Sequence, residues 1–233
     1  MSDRDARRAE LTAYHESQVA GCTRCPLSAG RTQVVLGNGD PDADLMFVGE
    51  APGYHEDKRG VPFVGQAGQL LNRLLEDIGL SRDEVFVANV LKCRPPGNRD
   101  PQPAEIEACE RHLFKQISLI QPKVICTLGN FATRLLSGRP ARISQVHGHE
   151  LPLQIADRTV LLYPLFHPAA ALYTRSMLGT LEADFARIPA LLGSGHAPEP
   201  ASFEEPEPDP EPEAREELAV PVAAGAPEQL GLF

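Results

Sequence analysis

The sequence of 233 residues lacks any long apolar run and any excess of positive charge. No segment reaches the roughly 18 consecutive apolar residues that a transmembrane helix needs, and no apolar stretch follows the charged N-terminus as in a secretory signal. These absences predict a soluble, cytoplasmic protein without a membrane partner, in which the five cysteines do not form disulfides. Taken alone, the formal net charge of −10 argues against binding nucleic acid.

The negative charge is concentrated at the C-terminal end. Residues 196–233 hold ten acidic residues and one arginine, so residues 1–195 are nearly neutral, with 22 acidic and 21 basic residues. The same end holds eight of the 22 prolines, several of them alternating with glutamate. Such a run favours neither helix nor sheet and offers nothing apolar to bury. We therefore predict a folded domain over residues 1–192 and a disordered acidic linker over residues 193–228.

Four short apolar runs predict buried strands: Leu45–Val48, Val85–Ala88, Val124–Leu128 and Thr159–Tyr163. Each run is continuous rather than alternating, as in strands covered on both faces. Helical spacing lies between and after them, over Ala67–Ile78, Ala104–Ile120, Phe131–Leu136 and Met177–Leu192, with one more helix before Cys22. This alternation predicts an α/β fold, a three-layer α/β/α sandwich with a central four-stranded parallel sheet. Functional loops are then expected beyond the carboxyl ends of the strands.

Four cysteines have a spacing that suits a metal site. Cys22 and Cys25 form a C-x2-C pair, Cys93 follows after 67 residues and Cys109 after 15 more. Thiolates suit both zinc and iron–sulfur clusters, and the spacing alone leaves both open, beside the simpler reading of buried apolar cysteines. That simpler reading is the one we adopt for Cys126, which lies in the middle of a predicted strand.

The segment GEAPGYHEDKRGVPFVGQAG, from Gly49 to Gly68, resembles the first motif of family 4 uracil-DNA glycosylases. The segment NVLKCRPP from Asn89, the cysteine spacing and the HPAA loop from His167 agree with that family in the same order, and the resemblance covers about residues 15–190. It implies a uracil-DNA glycosylase-like fold. It also implies a [4Fe–4S] cluster on Cys22, Cys25, Cys93 and Cys109.

The resemblance implies an enzyme that flips uracil out of single- or double-stranded DNA, hydrolyses its N-glycosidic bond and so starts base-excision repair. Asn89 is expected to read the uracil edge, donating to O4 and accepting from N3–H. Phe63 is expected to stack on the ring, and His167 to donate to O2 as the base leaves. Without the family, these residues could equally be a strand cap, a core aromatic and an ordinary loop histidine.

Gly49, Glu50, Ala51 and Glu56 complete the predicted site. Gly49 and Ala51 are expected beside the uracil, and Ala51 stands where better-known uracil glycosylases have the aspartate that positions water. Glu50 is therefore assigned to positioning water or stabilising the sugar cation. Glu56 is expected to close the pocket near uracil C5, with Tyr54 as a rival for that role.

The loop after His167 is expected to contact DNA. Leu172 is the predicted wedge between bases and Arg175 a predicted phosphate contact. Two alternatives are open for five further arginines, namely phosphate contacts or a solvated charged face: Arg94, Arg99, Arg134, Arg139 and Arg142.

The last five residues resemble the short peptide with which bacterial repair proteins bind the DNA sliding clamp. Gln229, Leu230, Leu232 and Phe233 would place three apolar side chains at the end of a polar tether. Two alternatives to a monomeric uracil-DNA glycosylase remain at this stage. One is a glycosylase accepting other deaminated bases, and the other is a non-catalytic member that binds DNA or the clamp.

Overall fold

The computed structural model describes residues 3–155 and 158–193. The acidic linker predicted over residues 193–228, apart from Gly193, and the clamp-binding residues 229–233 lie outside these described residues. Within them, no helix is long and apolar enough to span a bilayer.

Six strands form one mixed sheet in the order β1-β3-β2-β4-β6-β5. Their bounds are β1 Asn38–Gly39, β2 Leu45–Gly49, β3 Phe86–Asn89, β4 Val124–Leu128, β5 Leu151–Ile155 and β6 Arg158–Leu165. The central strands β3, β2, β4 and β6 are parallel, which confirms the predicted four-stranded core. The edge strands β1 and β5 pair antiparallel with β3 and β6 and were not predicted.

Helices cover both faces of the sheet. Their bounds are α1 Asp3–Tyr14, α2 Tyr54–Arg59, α3 Gln66–Asp77, α4 Pro103–Ile120, α5 Asn130–Ser137, α6 Ile143–Val146, α7 Pro168–Ala171, α8 Arg175–Ala186 and α9 Ile188–Gly193. A π-helical turn covers His15–Val19, and short 3-10 turns cover Pro26–Ala29 and Pro96–Asn98.

Alternate residues of each central strand enter two separate cores. In β2, Met46 and Val48 pack with α1, α4 and α5, whereas Leu45 and Phe47 pack with α3, α8 and α9. Because side chains alternate across a strand, a continuous apolar run supplies both layers. The predicted α/β/α sandwich is therefore confirmed. We call the core that contains Leu45 and Phe47 the second core. Cys126 is fully buried within it, as expected for an apolar cysteine.

The predicted continuous helix Met177–Leu192 was wrong. The structure has α8 and α9 instead, with Arg187 between them. Pro189 is the second residue of α9 and has no N–H to continue the preceding helix, so a break before it is expected. Pro at such a position suits the first turn of a new helix.

The topology brings four chain segments to one edge of the sheet. Because β2, β3, β4 and β6 are parallel, their carboxyl ends lie side by side. The residues at or just after those ends are, in the same order, Gly49-Glu50, Asn89-Val90, Gly129-Asn130 and Phe166-His167. Backbone hydrogen bonds from Val90 N to Gly49 O (2.9 Å) and from Leu91 N to Glu50 O (3.0 Å) continue the β2–β3 pairing past the strand ends. These loops are held closely together.

Candidate active site

A cavity of about 350 Å³ opens at this edge, within the range of small-ligand sites. Six of its lining residues were predicted from the sequence: Glu50, Ala51, Glu56, Phe63, Asn89 and His167. Three further lining residues, Pro95, Asn98 and Arg99, lie in the segment after Cys93 and were not assigned to the pocket. We call this space the strand-end cavity.

Asn89 is the last residue of β3 and is only 2 % exposed. Its backbone carbonyl accepts a hydrogen bond from Lys92 Nζ at 2.7 Å. Its side-chain amide lines the cavity and has no hydrogen-bond partner within residues 3–155 and 158–193. Because this amide faces the cavity with its donor and acceptor unused, it is suited to pairing with a ligand there.

Phe63 is fixed in an unusual backbone conformation. Its φ of 55° lies in the left-handed region that non-glycine residues rarely adopt. Glu56 Oε1 accepts hydrogen bonds from the backbone N–H groups of Val64 and Gly65, both at 3.0 Å. A Cβ on Gly68 would stand 1.7 Å from the Phe63 carbonyl oxygen, so the first turn of α3 must present glycine there.

Glu56 therefore does more than the sequence suggested. It lines the cavity, as expected for a residue that closes the pocket. Its carboxylate also holds the loop that carries Phe63. Tyr54, the alternative for closing the pocket, is instead 51 % exposed.

A narrow gap lies between Phe63, Asn89 and Gly49. A Cβ on Gly49 would stand 2.5 Å from Asn89 Oδ1 and 2.7 Å from Phe63 Cζ. The Phe63 and His167 rings are stacked, with centroids 5.7 Å apart and planes inclined by 28°. The aromatic face, the amide edge and the imidazole thus meet at one place.

The ring of His167 is held as a single tautomer. The Ala169 N–H donates to His167 Nδ1 at 3.1 Å, so Nδ1 accepts and the neutral ring carries its proton on Nε2. Burial lowers the pKa of His167 to about 4, which keeps the imidazole neutral at physiological pH. His167 can therefore act as a neutral hydrogen-bond donor through Nε2.

Glu50 follows β2 and is partly buried at the cavity. Burial raises the pKa of its carboxyl group, and the negative charge of Asp100 raises it further. Within the described part of the chain, the carboxylate makes no hydrogen bond or ion pair. A carboxylate with a raised pKa and no protein partner is suited to accepting a proton or facing a developing cation.

The predicted DNA-contacting residues lie on the loop that leads from α7 to α8. Leu172 is partly buried and packs against the second core, whereas its neighbour Tyr173 is 86 % exposed. Arg175, the first residue of α8, is exposed. Arg99, a candidate phosphate contact, is paired with Glu105 through two hydrogen bonds of 2.6 and 2.9 Å.

The four spaced cysteines line one common cavity. Arg31 donates to Cys93 Sγ at 3.4 Å, and the backbone N–H of Lys92 donates to Cys109 Sγ at 3.3 Å. Burial raises the pKa of Cys109 to about 11. Among the described His, Cys, Asp and Glu side chains, no three are grouped as a site for a single metal ion.

Lys92 connects the two sites, and sequence reasoning missed it. It is 1 % exposed, its ammonium donates to Asn89 O and to Gln116 Oε1 at 2.6 Å, and its backbone binds Cys109. Burial lowers its pKa to about 8. The only available signal was its place between Asn89 and Cys93, because lysine is ordinarily a surface residue.

Comparisons with known proteins show the family of this chain. The family model described as "Uracil DNA glycosylase superfamily" matches residues 36–190. Three proteins named "Type-4 uracil-DNA glycosylase" are similar to the chain. That of Sulfurisphaera tokodaii is 45% identical over 178 residues, covering 74% of this chain and 81% of the relative. That of Saccharolobus solfataricus is 44% identical over 182 residues (76% and 84%), and that of Archaeoglobus fulgidus 42% over 180 residues (76% and 90%).

Proposed function

The chain belongs to the type-4 uracil-DNA glycosylases of the uracil-DNA glycosylase superfamily, and we propose on that basis that it releases uracil from DNA. The reaction hydrolyses the bond between uracil N1 and deoxyribose C1′ and leaves an abasic site, the first step of base-excision repair. The observation that carries the proposal is the Asn89 amide, which faces the strand-end cavity beside Phe63 with no hydrogen bond to the described residues. A site built to pair with a base edge rejects a base that leaves its polar groups unpaired.

Uracil enters the strand-end cavity, which Phe63 and Asn89 line. Its ring lies against Phe63, and base–aromatic stacking contributes about 1–3 kcal/mol. The Asn89 amide donates to O4 and accepts from N3–H. Cytosine reverses donor and acceptor at both positions, so it is excluded. Glu56 and Ala51 border the same space, and Glu56 excludes a methyl group at C5.

Bond cleavage places negative charge on uracil and positive charge on the sugar. The Nε2–H of His167 donates to uracil O2 and stabilises the departing anion without transferring a proton, because the ring is already neutral. Glu50 stabilises the sugar cation and positions the attacking water. It takes this role because Ala51 has no carboxylate.

The four-cysteine cavity suits a [4Fe–4S] cluster held by Cys22, Cys25, Cys93 and Cys109. Four thiols converge there, Arg31 and the Lys92 N–H donate to two of the sulfurs, and sulfur donors are the ligands such clusters use. The buried Nε2 of His112 has no partner within the described residues, and a bound group with acceptor atoms would supply one. The cluster supplies rigidity here, because hydrolysis requires no electron transfer. The chain's own contacts transmit that rigidity through Lys92 to Asn89.

The proposed activity is tested with purified protein and oligonucleotides that differ in one base. We expect alkali-labile abasic sites in strands containing uracil and none in strands containing cytosine or thymine. A hypoxanthine strand tests for a broader range of deaminated bases. Absence of cleavage at uracil by protein that retains its iron would contradict the proposal.

The proposed cluster is tested by substituting one ligand. Cys109→Ser is expected to lower the iron and sulfide content below four per chain and to weaken the visible absorption. Cys126→Ser is the control, since Cys126 is also buried but lies in the other core. Full iron content in Cys109→Ser would contradict the ligand assignment.

The C-terminal end is proposed as a tether. Residues 193–228 would act as an extended acidic linker, and Gln229, Leu230, Leu232 and Phe233 would bind the sliding clamp. At the DNA, we assign Leu172 to the wedge and Arg175 to a phosphate. The exposure of Tyr173 makes that residue a second candidate for the wedge.

A further inference from the structure

An aromatic side chain flanked by cations is exposed beside the strand-end cavity. Tyr54 is the first residue of α2 and is 51 % exposed. The Arg94 guanidinium carbon lies 5.2 Å from the centroid of its ring, and Lys58 Nζ lies 5.9 Å from the same point. We call Tyr54, Lys58 and Arg94 the aromatic–cation cluster.

The aromatic–cation cluster is continuous with the cavity. Gly53 precedes Tyr54, Pro95 follows Arg94, and both line the cavity. Arg94 Nε also donates to the lining residue Asn98, at 2.7 Å from its Oδ1. A strand whose uracil occupies the cavity would therefore pass over these side chains.

We propose that the aromatic–cation cluster binds the nucleotide next to the flipped uracil, with Tyr54 stacking on its base and the two cations facing its phosphate. This inference rests on the proposed function. Flipping removes one stacking neighbour from the adjacent base, and an aromatic ring can replace that neighbour whatever the sequence. In single-stranded DNA the adjacent base is free to turn toward Tyr54, whereas in a duplex it stays paired. The aromatic–cation cluster should therefore strengthen binding to single-stranded DNA more than binding to duplex DNA.

The stacking role is tested by binding, with DNA that cannot be cleaved. An oligonucleotide carrying 2′-fluoro-2′-deoxyuridine is titrated against the holoenzyme by fluorescence anisotropy. We expect Tyr54→Leu to weaken single-strand binding about tenfold or more, and duplex binding less. Tyr54→Phe keeps the ring and should bind within about twofold of the wild type. Phe114→Leu, at an exposed aromatic on α4, should have no effect.

The phosphate role is tested by salt dependence. Arg94→Gln should reduce the slope of log K against log salt by about one. Because Arg94 adjoins Cys93, Lys58→Gln repeats the test away from the cysteines and should also reduce the slope. Tyr54→Leu binding like the wild type, or unchanged slopes in both cation variants, would overturn the inference. In either case uracil release by the wild type would leave the proposed function intact.

A different observation, at the cysteine cavity, supports a second inference. His112 is 1 % exposed and lines that cavity. Its Nδ1 lies 2.7 Å from the Tyr14 hydroxyl, while its Nε2 is buried with no partner in the described part of the chain. A buried polar nitrogen without a partner carries its full desolvation cost.

We infer that His112 Nε2–H donates to a sulfur of the proposed cluster. This inference depends on the proposed [4Fe–4S] cluster but not on the proposed catalytic activity. Thiolate and sulfide sulfurs accept hydrogen bonds and have no proton to donate, so Nε2 must carry the proton. In a neutral ring Nδ1 then accepts, and the Tyr14 hydroxyl donates to it. The contact joins α1 to the cluster through α4.

The reduction potential of the holoenzyme tests this hydrogen bond. A donor to cluster sulfur favours the more negative, reduced state, so His112→Phe should shift the potential to a more negative value. Tyr14→Phe leaves the imidazole in place but no longer fixes its tautomer, and should shift the potential in the same direction by less. His149→Phe, at an exposed histidine, is the control.

Cluster retention alone does not decide the inference. A purely structural His112 would change the rate of cluster loss and leave the potential of the retained clusters unchanged, and that result would overturn the inference. If His112→Phe takes up no cluster, the Tyr14→Phe potential decides. A potential equal to that of the wild type would then overturn it.

Discussion

At the residue scale, the pH dependence of uracil release tests whether the Glu50 carboxylate takes part in the reaction or is only structural. Burial and Asp100 raise its pKa above 4.5, and its proposed role requires the ionised form. Uracil release should therefore decline on the acid side at a pH above the ordinary carboxylate range. Glu50→Gln should lower the single-turnover rate about a hundredfold and remove that acid decline.

Folding stability gives an independent check on Glu50. Because burial disfavours the Glu50 charge, the folded state binds the Glu50 proton more tightly than the unfolded state does. The protonated side chain therefore contributes to the free energy of unfolding at low pH, and this contribution is lost as pH rises through the raised pKa. Glu50→Gln should therefore be more stable than the wild type at neutral pH and equal to it well below pH 4.5. Glu76→Gln, at an exposed residue of α3, is the control. A normal rate in Glu50→Gln would exclude the catalytic role.

His167 should contribute through a hydrogen bond rather than through its charge. Removing one donor to a developing oxyanion costs about 100- to 1,000-fold, so His167→Ala should lower the single-turnover rate by that factor. Because the pKa of His167 is about 4, its protonation should produce no change in rate between pH 5 and 8. Rate measurements across that range check this. A step near pH 6.5 that disappears in His167→Ala would mean that the charged imidazole is the active form.

At the scale of elements, the end of β2 leaves room for the Asn89 and Phe63 side chains, which are proposed to bind uracil. Gly49→Ala would place a methyl group 2.5 Å from Asn89 Oδ1 and 2.7 Å from Phe63 Cζ. We expect uracil release to fall strongly while unfolding stability drops by only about 1–3 kcal/mol, as in other overpacked sites. Gly179→Ala on α8, where a Cβ would meet nothing within 4 Å, should keep normal activity. Single-turnover rates measure the activity of the two variants, and thermal unfolding measures their stability. An active Gly49→Ala would show that uracil binds elsewhere.

The elements that the sequence predicted are those with a strong apolar signal. β2 and β4 are continuous apolar runs because both of their faces are buried, and α3 has a clear apolar stripe. By contrast, β1 has two residues, and α2 is polar throughout. β5 contains Pro152, which is typical of an edge strand and weakens the strand signal.

The candidate site was predictable where a residue lies at the end of a strand or within two residues of it. Asn89 and His167 are of this kind, since parallel strands carry their ends to one edge. Contacts between loops were not predictable, and Glu56 is the clearest case. Its hydrogen bonds to Val64 and Gly65 depend on how two turns fold against each other, for which local sequence gives no signal. The burial of Lys92 likewise depends on packing against α4.

At the scale of the whole molecule, one chain segment, from Asn89 to Arg99, contributes to both the cysteine cavity and the strand-end cavity. Asn89 borders one cavity and Cys93 the other, and Lys92 between them binds the Asn89 carbonyl and Gln116. Further along the segment, Pro95, Asn98 and Arg99 line the strand-end cavity. A group bound at Cys93 would therefore also position the Asn89 amide, which is proposed to pair with uracil.

The C-terminal peptide should act independently of this folded domain. Residues 36–190 match the superfamily, so the catalytic domain ends well before Gln229, and removal of residues 229–233 should leave uracil release and thermal unfolding unchanged. The same deletion should abolish binding to the sliding clamp, because Leu230, Leu232 and Phe233 supply all of the apolar contact at the end of a polar tether. Clamp binding is measured by surface plasmon resonance, with a variant lacking residues 204–212 as the control for tether length. That control should still bind, since shortening a tether changes its reach rather than the bound contact. Clamp binding by the chain that lacks residues 229–233 would place the contact on the folded domain instead.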